Sequence, residues 1–293
     1  MAIVNNRVAL GIGLRVAAMV CMASLAAMVK WTAGQGVPVL EIIFFRNAFA
    51  FIPICFYIWR TTGFSVLKTR RPMGHLGRSV IGLGGMVCGF SAVALLPLVD
   101  ATALSFTAPL FMTALAFLFL KERIGPHRWA AVAVGFAGVV IMVHPDPANM
   151  AGVGTLLALF GALCAAGAMI AIRQIVDTEP GPTIVFYFTL AGAALGLLSL
   201  PFGWSIPNLA TLGVLILGGV VGGTGQLLLT EALRRAPVAV VAPFDYTQLV
   251  WASLIGYLVW DEPPRSATLV GAAVVAASGI YILYREMRRF RVS

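Results

Sequence analysis

The chain has 293 residues, 60% of them hydrophobic and 11% charged, with a mean hydropathy of +0.96. Soluble domains carry about 25% charged residues, so a water-facing exterior is excluded; so apolar a surface would aggregate. The excess of 20 Lys and Arg over 11 Asp and Glu does not point to nucleic acid, because the basic residues fall between apolar runs and no aromatic-basic recognition motif accompanies them. In chain order the apolar runs are 9–29, 38–58, 78–95, 99–120, 127–144, 152–172, 183–200, 209–230, 238–259 and 266–284. Each is long enough, or nearly so, to cross about 30 Å of hydrocarbon at about 1.5 Å per residue. A backbone in lipid must satisfy its own hydrogen bonds, so the expected fold class is all-α integral membrane with ten transmembrane helices. Turn-forming stretches separate the runs: GQGVP (34–38), RIGP (123–126), HPDP (144–147), EPGP (179–182), PFGW (201–204) and DEPP (261–264).

The first run could begin as a cleaved leader after Arg7, but Arg15 interrupts it, so an uncleaved span is expected. Arg15, Met19, Met22, Ala26 and Lys30 share one stripe at 3–4 spacing. A cation at each end with thioethers between them suits a pathway for a carboxylate-bearing, partly apolar substrate. Alternatively, Arg15 snorkels to the inner surface and Lys30 holds the interface. On the second span Glu41 and Arg46 are five residues apart and do not share a face; each is expected to pair with another span in a structural or gating role. The third span carries Phe90 and a glycine face of Gly82, Gly84, Gly85 and Gly89. These stand against Gly218, Gly219, Gly222, Gly223 and Gly225 of the eighth, where small residues let helices approach and slide.

Thr102, Ser105 and Thr107 on the fourth span can bond their own helix carbonyls and say less. The eighth span offers Gln226 and Thr230 on one face, followed by Glu231 in an ion-pair cluster with Arg234 and Arg235. Asp245 is the sharpest candidate, because a carboxylate at a helix centre costs about 2.5–3.5 kcal/mol on insertion scales. Gln248 lies one turn on, and Pro243 frees a carbonyl near Ala239. Together they could bind a substrate ammonium or a proton; the competing role is a hydrogen bond between helices. Phe90, Tyr246 and Trp251 could form an aromatic wall, and the Trp251 indole N–H needs a partner at that depth.

Residues 107–122 read TAPLFMTALAFLFLKE and residues 247–262 read TQLVWASLIGYLVWDE, an offset of 140. Gly82, Gly85 and Pro97 map onto Gly222, Gly225 and Pro237 at the same offset. ASLAAMV (23–29) echoes CAAGAMI (164–170), and GVVIMV (138–143) echoes GIYILY (279–284). The repeating unit is therefore five spans, giving halves 1–145 and 146–293. Five is odd, so the second copy enters the membrane upside down, a transporter device. Sixteen Lys and Arg, Arg78 among them, flank one side and only Lys30 and Arg265 the other. The positive-inside rule then places both termini in the cytoplasm.

FFRNAFAFIPI (44–54), ALLPLVDATALSFTAPLFMTALAFLFLKE (94–122) and RWAAVAVGFAGVVIMV (128–143) resemble the drug/metabolite transporter superfamily in its EamA-type ten-helix branch. The resemblance covers nearly the whole chain and is looser in the second half. It implies a basket of two inverted five-helix halves around a cavity between the first, third, fourth, sixth, eighth and ninth helices. It also implies small metabolite substrates, often amino acids, moved outward, and the family pattern has an Arg at the place of Arg46. Four-span relatives carry a proton-binding Glu in their first helix; this first span has no carboxylate, so that mechanism is not carried over.

The expected function is export of amino acids, aromatic or neutral, or of similar small metabolites by alternating access across a bacterial-type inner membrane. Efflux of cationic compounds is the alternative. An intramembrane enzyme is disfavoured because His75, His127 and His144 lie in or beside loops and no HExxH occurs; a channel is disfavoured because nothing resembles a selectivity filter. Cys21, Cys55, Cys88 and Cys164 form no CxxC pair, so no metal is expected, and no cofactor. The expected partners are a small-molecule substrate and the lipid bilayer, with the chain a monomer.

Overall fold

The computed structural model describes residues 2–120, 125–143, 152–176, 178–236 and 238–290. Among them every regular element is helical. The helices are α1 (Ala2–Gly34), α2 (Val39–Thr61), α3 (Pro72–Leu95), α4 (Leu98–Ser105), α5 (Ala108–Leu120), α6 (Pro126–Val143), α7 (Val153–Ile175), α8 (Gly181–Leu198), α9 (Leu209–Arg235), α10 (Val238–Val241), α11 (Thr247–Trp260) and α12 (Ser266–Phe290). Seven stretches, Arg7–Gly34, Val39–Thr61, Pro72–Leu95, Leu98–Phe119, Val153–Ile175, Gly181–Phe202 and Leu209–Arg235, are long and apolar enough to cross a membrane. Trp129–Ile141 and Ser266–Ile282 are shorter apolar helices. Ile52, Phe56, Leu118, Phe119 and Leu258 point outward, more than half exposed, as in a multi-pass membrane protein whose outer face meets hydrocarbon. The expected acidic end at Lys121 and Glu122, the HPDP turn and Pro237 lie outside the described residues.

The helices pair α1 with α9, α3 with α7, and α6 with α12, while α2 lies against α8 and α9. Glycines permit two of these approaches. A Cβ on Gly219 would sit 2.6 Å from the Phe45 carbonyl of α2, and one on Gly85 would sit 3.1 Å from the Cys164 Cβ of α7. The glycine faces of α3 and α9 therefore do not meet each other, contrary to the expectation from sequence. Gly85 faces α7, and Gly225 faces Cys21 and Met22 of α1.

Two expected spans are interrupted. The fourth is split into α4 and α5, and the ninth into α10, a 3-10 segment Ala242–Tyr246 and α11. Pro109 and Pro243 explain this, since proline donates no amide hydrogen and clashes with the carbonyl four residues back. Around the first break the ladder tightens to three-residue bonds, Phe106 N–H to Ala103 O and Thr107 N–H to Leu104 O. At each break a threonine hydroxyl donates to a carbonyl three residues back: Thr107 to Leu104 at 2.7 Å and Thr247 to Phe244 at 2.6 Å.

Helix limits also differ from the apolar runs. α3 begins at Pro72, so Arg78, a flanking charge at the start of the third apolar run, lies well inside a helix.

Candidate transport site

Arg15 and Asp245, read from sequence as separate candidates, form one pair. The Arg15 guanidinium grips the Asp245 carboxylate with two hydrogen bonds, Nε to Oδ1 and Nη2 to Oδ2, the latter at 2.6 Å. This two-pronged geometry is the strong form of an arginine–carboxylate contact. The 3-10 segment carries Asp245 toward α1, and α1 lies against both α9 and α11. Side-chain exposures of 12% for Arg15 and 30% for Asp245 leave the pair in partial reach of solvent. Arg15 does not snorkel; its charge is spent on Asp245.

Next to Asp245, Tyr246 packs its ring on Phe106, with centroids 4.9 Å apart. Phe90 instead packs on the cluster of Leu25, Val29, Val37, Ile42 and Leu215. The expected aromatic wall is thus divided. Trp251 is half-buried on α11, and its Nε1 is buried without a hydrogen-bond partner; the partner that its depth calls for is absent from the described residues. Gln248 is in the first turn of α11, and Met19 is buried, 4% exposed. Thr230 donates to the Gln226 carbonyl of its own helix at 3.0 Å, which occupies its hydroxyl. Gln226 lines a cleft with Arg46 and Arg78.

At one end of the bundle Lys30 closes α1 onto α4 and α11. Its Nζ donates to Glu262 Oε1 and Oε2 at 2.7 and 3.0 Å and to the Leu96 carbonyl at 2.8 Å. Glu262 Oε2 also accepts the first amide of α4, Leu98 N, at 3.2 Å, a favourable place for a negative charge. Near this end Glu41 bonds the loop between α8 and α9 rather than another span: Oε2 accepts the Ser205 amide at 2.8 Å and its hydroxyl at 3.0 Å. Arg46 does not find such a partner. Its Nη1 donates to Asn47 Oδ1 on its own helix at 2.9 Å, and its Nε is buried and unpaired.

The opposite end gathers Tyr57, Glu231, Arg234 and Arg235. The Tyr57 hydroxyl donates to Glu231 Oε1 at 2.5 Å, and Arg234 donates to the same oxygen at 2.8 Å. The ion-pair reading of Glu231 thus holds, with α2 joined to it through Tyr57. Between α7 and α8 Glu179 accepts Arg70 N–H at 2.8 Å and lies 3.1 Å from His75 Nε2. Burial works to raise the Glu179 carboxyl, but the Arg70 amide, His75 and the Thr69 hydroxyl outweigh it and hold it below the ordinary carboxylate range.

Asn47, which bonds Arg46 and the Ile43 carbonyl of its own helix, is not singled out by the sequence, nor are Ser205 and the His75–Glu179 pair, whose partners are remote in the chain. The charge count takes Arg78 as a flanking charge at the start of the third apolar run. Among the described residues no cluster of His, Cys, Asp and Glu is arranged to hold a metal.

The EamA-like transporter family matches the chain twice, over residues 9–144 and 152–285. The chain belongs to this family. A riboflavin transporter of Rhizobium johnstonii is 31% identical over 99% of this chain and 96% of its own length. A pseudopaline exporter of Pseudomonas aeruginosa is 33% identical over 92% of this chain and 94% of its own. An S-adenosylmethionine uptake transporter of Rickettsia bellii is 29% identical over 95% of each. One solved crystal structure superposes with a TM-score of 0.66 at 20% identity, covering 97% of this chain and 99% of its own; that likeness concerns the fold alone. The EamA relatives thus include both exporters and uptake systems for small molecules, and by family this chain is a transporter.

Proposed function

We propose that this EamA-like transporter sits in the bacterial inner membrane with both termini cytoplasmic and exports amino acids or similar small amphipathic metabolites by alternating access. The observation that carries the reading is the Arg15–Asp245 pair, placed at a helix break and in partial reach of water. Its two charges match the carboxylate and ammonium of a zwitterion, so a substrate can exchange for the pair without leaving either charge unmatched. Removing one partner of a buried pair costs about 3–5 kcal/mol; a zwitterion that replaces both contacts avoids most of that cost. Cationic-compound efflux is the weaker reading, because Asp245 is already neutralised.

Two inverted five-span halves supply the movement. In support, the family matches two consecutive stretches of similar length. The helix pairings also exchange under a five-span shift: α1 with α9 (first with eighth) becomes α7 with α3 (sixth with third). Exchange of shape between such halves turns a site open to one side into a site open to the other. The test is counterflow in proteoliposomes with a panel of labelled amino acids and cationic dyes. Trans-stimulated exchange of an amino acid is expected; flux without trans-stimulation, or movement of the dyes alone, overturns the proposal. Cysteine accessibility at positions 122 and 262 tests the inverted threading, which places them on opposite sides.

A further inference from the structure

A second charged locus is built differently. Between α2, α3, α8 and α9 lies a narrow cleft lined by Arg46, Arg78, Phe188, Thr189, Gly223 and Gln226, whose free volume of about 10 Å³ admits about one water-sized group. Arg46 is 7% exposed. Its Nε and the Nε and Nη1 of Arg78 are all buried without a hydrogen-bond partner. The Arg78 guanidinium lies over the Phe188 ring, 3.7 Å from the centroid, which fixes its plane and leaves its edge for another ligand.

Nothing described neutralises these two cations. Among the described residues no carboxylate forms an ion pair with either arginine, and Arg46 donates only to the Asn47 amide oxygen. Glu179, near the start of α8, is engaged by Arg70 and His75. Two guanidiniums facing one low-dielectric cleft repel each other, and each unpaired buried N–H adds its own desolvation cost. Both costs fall when an anion with several acceptor oxygens enters, since guanidinium forks match carboxylate and phosphate oxygens. The opposing Gln226 and Thr189 side chains can donate to the same oxygens.

We propose that the Arg46–Arg78 cleft is an anion-binding subsite that takes the carboxylate or phosphate group of a transported metabolite. It is separate from the Arg15–Asp245 pair, and it rests on the transport reading only in assigning the anion to a metabolite. The cleft is narrow and has helices on all sides, so it receives the charged end of a molecule rather than the whole. A phospholipid headgroup offers the same oxygens, and the test separates the two sources.

Purified protein in nanodiscs of phosphatidylcholine alone is titrated with acetate or inorganic phosphate while its thermal unfolding midpoint is read. A saturable rise is expected. Arg46→Gln and Arg78→Gln should each need about ten-fold more anion or lose the response, the scale of one charge-assisted contact. Arg46→Lys and Arg78→Lys should recover part of it. No saturable rise in the wild type overturns the proposal, as do variant curves that superimpose on it. Saturation only with phosphatidylglycerol in the discs assigns the cleft to lipid and overturns the metabolite source. Arg78→Gln leaves α2 untouched and carries the test where Arg46→Gln fails to fold. Because binding is read without transport, the subsite can fail while counterflow succeeds, and the reverse.

Discussion

The two helix breaks share a backbone design and differ in charge. Thr107 and Thr247 are 140 residues apart, and each bonds a carbonyl three residues back. At that same offset Ser105 corresponds to Asp245, and Phe106 to Tyr246. In the first half Ser105 turns its hydroxyl to the Thr102 carbonyl at 2.6 Å, satisfying itself within its own helix. In the second half Asp245 reaches across to Arg15. One backbone device therefore serves twice, but only one copy carries ionic chemistry. The two breaks share their backbone geometry, and a single position supplies the asymmetry.

The sharpest way to break that comparison is to neutralise each copy. Asp245→Ala and Arg15→Ala should each lower the counterflow rate about 30-fold or more, the scale of a partly buried pair broken on one side. Ser105→Ala should stay within about two-fold, since a self-satisfied hydroxyl contributes little. Equal losses at both breaks, or wild-type rates for Asp245→Ala and Asp245→Asn, would sink the assignment.

A second contrast sets Gly85 against Gly225. Leucine at either site overpacks a helix contact at about 1–3 kcal/mol and should slow transport while leaving membrane insertion intact. Gly85→Leu should be the worse of the two, because its Cβ would meet the backbone carbonyl of Gly161 at 3.2 Å, whereas at Gly225 the two nearest atoms belong to side chains, Met22 Cε at 2.9 Å and Cys21 Cβ at 3.0 Å. Initial rates with surface expression as control decide the order. Full activity of both variants would undercut the sliding role of these faces.

Smaller effects follow at the ends. Glu262→Gln weakens the Lys30 pair and the contact to the first amide of α4, at about 1 kcal/mol, and should lower the melting midpoint by about 2–4 °C. Glu179 gives the smallest. Its carboxyl is held below its ordinary value, so its contribution is present above that value and lost as pH falls through the lowered one. Glu179→Gln should lower stability slightly at neutral pH, converge with the wild type at acid pH and so flatten the acid limb of the stability profile; an unaltered acid limb would refute this.

Much of the fold could be read because lipid leaves the sequence few choices: a run of about 20 apolar residues has little alternative to a helix. Where charge entered, reading was poorer. α3 extends six residues ahead of its apolar run, so Arg78 reads from sequence as a flanking charge, and nothing local points to the cleft it shares with Arg46. Pro243 signalled a lost hydrogen bond, yet nothing local indicated that the turn would carry Asp245 to a residue 230 positions away. Gln226 stood out as polar within lipid; its neighbours across the cleft come from three other helices, and single-helix periodicity does not reveal them.

The Phe106–Tyr246 contact has a mechanical meaning. In the alternating-access cycle proposed above, a touch between two counterparts maps onto itself as the halves trade shapes, whereas contacts between unlike positions must be broken and remade. These two rings can therefore stay together through the cycle as its fulcrum, with the largest displacements falling on the helix ends farthest from them.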